Sequence, residues 1–243
     1  MPRRANIAAL ASLAILTVSA TLLGFALDQR WLLPLLDMLP AWVLMVAMLR
    51  RGRRGMAIGV MVWWALCLAL TTVSLTIFWH HRAEHVIFNG AAYRDEMRSW
   101  LLTGVGREST PSQFIPQHLR HAALFCLVGL LSAGCLSVLM GATLMNYMSF
   151  YVGDLILGCE RSSSHLLALT LGWNPWSIVR VVSFIILGVV LAEPVLSRFK
   201  GDWPTASGRR RWLVAGAAGL LADILLKALL APHWPGLLGG CVG

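Results

Sequence analysis

Long apolar stretches separated by short polar ones recur along nearly the whole chain. Residues 7–27, 31–49, 56–79, 122–156, 177–196 and 212–230 are each mostly aliphatic, with at most one or two charges. A bilayer crossing takes roughly 20 apolar residues. Lipid offers no hydrogen-bond partners, so each run must satisfy its own backbone, as a helix. The pattern predicts an all-α fold: a polytopic transmembrane helical bundle with six or seven membrane segments, one of them broken or re-entrant.

Charge placement decides between six and seven. Three basic clusters interrupt the apolar pattern: Arg3/Arg4, then Arg50/Arg51/Arg53/Arg54, then Arg198/Lys200/Arg209/Arg210/Arg211. Such clusters stay on the cytoplasmic side. Two crossings separate the first two clusters, so both lie inside. Only three apolar runs separate the second from the third, which would leave the third outside. One more membrane segment between Ala122 and Trp173 removes the conflict. The stretch 146–173 is the expected irregular one, because it holds Asn146, Asp154, Glu160, Arg161 and His165 and ends in the breakers Ser162-Ser163-Ser164 and Asn174-Pro175.

The chain then divides into an N-terminal membrane segment of three helices (1–79), an extracytoplasmic loop (80–121) and a C-terminal membrane segment (122–243). Within the loop, residues 82–102 form an amphipathic pattern. Its Val86, Ile87, Met97, Trp100 and Leu101 are expected to lie on the membrane surface.

Of 243 residues, 58% are hydrophobic and 13% charged, well below the roughly 25% charge of a soluble domain. The net charge of +9 sits in the short basic blocks, which suits anionic lipid head groups and not nucleic acid. Arg3 and Arg4 before an apolar run imitate a signal peptide, but the run is a full span long and is expected to remain as the first helix. The five cysteines are odd in number and include no C-x-x-C. Cys67, Cys126 and Cys135 lie inside apolar runs and are expected to act as small hydrophobes, and no disulfide or thiol–metal role is expected.

Ionisable side chains inside apolar runs are costly and point to function. Asp37 lies between Pro34 and Pro40, a pattern that predicts a broken helix. Asp154 follows Asn146 on the disputed stretch. Asp223 and Lys227 are four residues apart, so they can neutralise each other on one helix face. Asp37, Asn146, Asp154, Asp223 and Lys227 form the candidate polar intramembrane site.

Histidine supplies the second candidate. His80, His81 and His85 fall where the third apolar run ends, and His118 and His121 where the fourth begins. Residues 81–85 read H-x-x-E-H, a pattern in which two histidines hold a metal and the glutamate activates water. His81, Glu84, His85, His118 and His121 are the candidate ligands for zinc or copper. Haem is excluded by position, since its ligands would have to sit inside spans on facing helices. No P-loop, nucleophile elbow or dinucleotide fingerprint occurs.

The expected protein is an integral inner-membrane protein of a bacterium, with its N-terminus in the cytoplasm. It would serve as a non-catalytic transport component or as the membrane subunit of a larger complex. The alternative is a membrane-embedded metalloenzyme built on the histidine cluster. The bilayer and other membrane proteins are the expected partners.

Overall fold

A computed structural model describes residues 3–160, 162–198 and 208–241. It is 87% helical with no strand among the described residues, which makes the fold all-α. Among the described residues, ten helices of seven residues or more follow one another: α1 Arg3–Leu27, α2 Leu32–Arg50, α3 Arg54–Phe78, α4 His80–Val86, α5 Gly90–Thr103, α6 Pro111–Leu131, α7 Cys135–Gly158, α8 Ser162–Leu171, α9 Pro175–Arg198 and α10 Arg209–Leu230. Short turns of helix then carry the chain to Cys241.

Among the described residues, seven helices are long and apolar enough to cross a membrane: α1, α2, α3, α6, α7, α9 and α10. Their outward residues are large and apolar, including Ile15, Leu16, Val214 and Leu229. In water such a surface would aggregate; in lipid it is the solvated face.

The additional crossing arises from a turn inside the long apolar run, at residues 132–134. Ala133 and Gly134 take left-handed backbone angles, with φ of 53° and 80°. Gly134 N–H donates to the Gly129 carbonyl, as at a helix C-terminus ended by such a residue. A Cβ on Gly134 would stand 3.0 Å from Met45 Cε and 3.1 Å from Ala192 Cβ, so glycine also allows close packing. The Ala133 carbonyl accepts from Trp42 Nε1 at 3.1 Å, and Ser137 Oγ on α7 donates to the Phe125 carbonyl on α6 at 2.8 Å. The turn is thus held from α2 as well as by bonds between α6 and α7.

This corrects the placement of the irregular segment. Residues 146–158, expected to be broken, are regular helix, and α6 begins at Pro111, inside the stretch expected to be loop. The chain does break after α7, around the ten-residue α8. Arg161, Lys200 and Trp203 lie outside the described residues.

Three further expectations change. α2 runs unbroken through Pro40. The amphipathic stretch is two helices, α4 and α5, joined at Asn89 with φ 62°. Its Val86, Ile87, Met97, Trp100 and Leu101 are buried in the bundle and not spread on lipid. Cys159 and Cys241 form a disulfide between chain positions 82 residues apart, a separation with no local sequence signature; Cys67, Cys126 and Cys135 are free.

The bundle thus has two distinct ends. The starts of α3 and α10 and the finish of α9 meet where Arg54 and Arg209 share Glu193. The opposite end carries α4, α5 and α8 with the Cys159–Cys241 bridge, and is called here the α4 end.

Candidate functional site

The buried acids of the bundle fall into two classes. Asp154, Glu193 and Asp223 each face an arginine: Asp154 Oδ2 lies 3.0 Å from Arg98 Nη2, Glu193 accepts from Arg54 Nε and Nη2 at 2.5 and 2.8 Å, and Asp223 accepts from Arg180 Nε and Nη2 at 2.9 and 3.0 Å. Asp37 faces none among the described residues. Its partners are neutral. Thr21 Oγ1 lies 2.7 Å from Oδ1, and Asn146 Nδ2 donates to Oδ2 at 2.8 Å. Thr72 Oγ1 then donates to Asn146 Oδ1 at 3.1 Å, and Trp64 Nε1 donates to the Asp37 carbonyl at 3.0 Å. Thr21, Asp37 and Thr72 are all 0% exposed.

Four helices build this knot. α1 supplies Thr21, α2 Asp37, α3 Thr72 and Trp64, and α7 Asn146. α3 and α7 approach closely because Gly153 lacks a side chain: a Cβ there would fall 2.7 Å from Thr76 Cβ. Thr21 Oγ1 also lies 2.9 Å from the Thr17 carbonyl. A hydroxyl has one proton to donate, so it cannot donate to both acceptors at once.

Towards the α4 end the same α3–α7 seam finishes in Asp154. Its Oδ1 lies 2.9 Å from His80 Nε2 and 4.0 Å from Arg94 Nη1. Arg94 spans Glu84 and Asp95, both at 2.8 Å. Those carboxylates raise the guanidinium's pKa against the effect of burial, which is the largest single influence and acts to lower it.

Asp223 and Lys227 do not neutralise each other as expected. Asp223 takes Arg180 and has His118 Nδ1 at 3.2 Å. Lys227 Nζ reaches Glu108 Oε2 at 2.7 Å and stands 4.9 Å from the centre of the Phe114 ring. Its side chain is 1% exposed. Tyr93 packs against Tyr147, tilted, and Tyr151, edge to face, with ring centres 4.7 and 5.9 Å away. Burial pushes the Tyr93 phenol well above its ordinary pKa, and the Glu108 carboxylate adds to that.

The candidate metal ligands separate into three places. His81 and Glu84 come together with His80. His85 turns away, with Nδ1 3.1 Å from Asp28. His118 and His121 line a small cleft of about 40 Å³ with Arg180 and Asp223. Sequence reading passed over Glu193, Glu108 and Tyr93 as site residues. Glu193 could have been found as an acid within an apolar run; Glu108 and Tyr93 lie in polar sequence that offers no such contrast.

Comparison with protein families, with curated proteins and with solved structures finds no match to this chain.

Proposed function

We propose that this protein is a transport component of a bacterial inner membrane in which Asp37 carries a proton. The observation behind it is an acid within a membrane-length helix that no cation among the described residues compensates, where the other three buried acids among those residues each have an arginine. An isolated charge there is very costly, so the group is neutral unless a positive charge arrives. The Thr21 geometry favours the neutral form: a protonated Asp37 donates to Thr21 Oγ1, which frees the hydroxyl proton for the Thr17 carbonyl. The α3–α7 seam supplies polar groups from the α4 end down to this acid: Asp154, Thr76, Ser149, Thr72 and Asn146.

Orientation follows from two independent arguments. Basic clusters favour the cytoplasmic side, and crossing parity through seven spans puts all three on one side. The disulfide sits at the opposite end, and bridges persist in oxidising compartments. Both support a cytoplasmic N-terminus with the α4 end outside.

Infrared difference spectroscopy of the reconstituted protein tests the protonation directly. The expected result is a buried carboxylic acid band at pH 7 that disappears in Asp37→Asn. In vesicles with a trapped pH dye, proton entry down an imposed gradient should also vanish in that variant. An ionised Asp37 at pH 7 would overturn the reading, and flux indifferent to Asp37→Asn would assign the acid to packing alone.

A further inference from the structure

The strongest unassigned constellation lies outside the membrane-crossing helices, on α4. One nitrogen each of His80 and His81 and one carboxylate oxygen of Glu84 lie within 4.8 Å of one another. We propose that these three side chains bind a single zinc ion at the α4 end of the bundle.

Four features support it. Two imidazoles and one carboxylate form a donor set that zinc accepts, with a fourth position left for water. His80 is already oriented: its Nε2 stands 2.9 Å from Asp154 Oδ1. An Nε2–H donated to that carboxylate fixes the tautomer and leaves Nδ1 bearing the lone pair a metal needs, as carboxylates behind metal-bound histidines do. Arg94 Nη1 stands 2.8 Å from Glu84 Oε1, and the other carboxylate oxygen is the one assigned to the ion. Finally, the local charge admits a cation. The carboxylates of Glu84, Asp95 and Asp154 face the guanidiniums of Arg94 and Arg98, so three negative charges meet two positive ones.

His81 is exposed, and His80 and Glu84 are half-buried, so an ion can enter from solvent without the bundle opening. The ligand set differs from the H-x-x-E-H reading, because the Asp28 contact takes His85 elsewhere. Bound zinc would tie α4 to α7 through His80 and Asp154, and to α5 through Glu84 and Arg94. The site does not involve Asp37, so its failure and that of the transport reading are separable.

The test is zinc titration of the purified full-length protein after chelator treatment, followed by metal analysis. One zinc per chain is expected. His81→Ala and Glu84→Gln should each weaken binding about 100-fold, and Asp154→Asn, acting through His80, about 10–100-fold. His85→Ala and His233→Ala should leave it unchanged. Cobalt loading of the unaltered protein gives a readout that no variant's folding can compromise: visible absorption of a four-coordinate nitrogen–oxygen site is expected. Absence of stoichiometric zinc, or binding that survives the His81→Ala/Glu84→Gln double substitution, would overturn the proposal. So would loss of binding in His85→Ala alone.

Discussion

Arg54 and Glu193 join the second basic cluster to the third. The Arg54 guanidinium donates from Nε and Nη2 to the two carboxylate oxygens of Glu193, at 2.5 and 2.8 Å, and Arg209 adds a longer contact at 3.4 Å. The first residue of α3 is thereby fixed to the last turns of α9 and to the first turn of α10. Two clusters that repel each other in the sequence share one acid in the fold. Removing the acid should expose that repulsion. Glu193→Ala is expected to cost about 2–4 kcal/mol, because it removes the buried carboxylate that the two guanidiniums share. Arg54→Ala/Glu193→Ala should cost less than the sum of the single changes. Thermal unfolding in detergent measures both; strict additivity would show that the pair contributes nothing.

The disulfide carries a second expectation. Three of the five cysteines are free. A maleimide should therefore label three positions in the denatured, unreduced protein and five after reduction. Cys159→Ala/Cys241→Ala should lower stability by about 2–4 kcal/mol. Its principal effect should fall on the terminal segment, whose Ala231, Leu238 and Cys241 are buried against the α4 end. Proteolysis after residue 230 reports that loosening. Five labelled positions without reductant would exclude the bridge.

Topology can be mapped at three points. A reporter fused at Gly106, between α5 and α6, should be active outside, and reporters at Arg53 and Ser132 inside. Cytoplasmic activity at Gly106 would invert the assigned orientation. Ser132 is the discriminating position. It lies inside an unbroken apolar run in the sequence, yet the structure places it in the turn between two crossings.

That turn also shows why sequence reading went only so far. Apolar length and basic clusters are local or additive, so the bundle and its parity were legible. The place of the odd crossing was not. It depends on Ala133 adopting φ 53° and on Trp42 capping its carbonyl from another helix, and neither is encoded within the run itself. Asp37 and Asn146 could each be singled out as polar residues in apolar surroundings. That they share a hydrogen bond, while Asp154 takes Arg98, depends on helix rotation. Likewise Asp223 and Lys227 sit at a spacing that permits pairing, but each finds a better partner on a neighbouring element.

Those two partnerships should respond differently to substitution. Arg180 belongs to α9 and is held at Asp223 by two hydrogen bonds, at 2.9 and 3.0 Å. Asp223→Asn removes the negative charge and leaves a guanidinium in the bundle that cannot be deprotonated. The expected cost is about 3–5 kcal/mol, the range found when one member of a buried pair is removed. Glu108 lies in the connection between α5 and α6, which can rearrange, whereas Arg180 is carried by the crossing helix α9. When Lys227→Met deletes its partner, the carboxylate can turn into water, and the methionine still covers Phe114 at the place where Lys227 Nζ stood 4.9 Å from the ring centre. The expected cost is about 1 kcal/mol or less, because the remaining charge is not trapped. Adding Arg180→Met to Asp223→Asn should restore most of the lost stability, since the guanidinium that lost its carboxylate is then gone. Equal losses for Asp223→Asn and Lys227→Met in denaturant titration would contradict this account. They would mean that the two pairs act as a single network, with Glu108 no freer to reach water than Arg180.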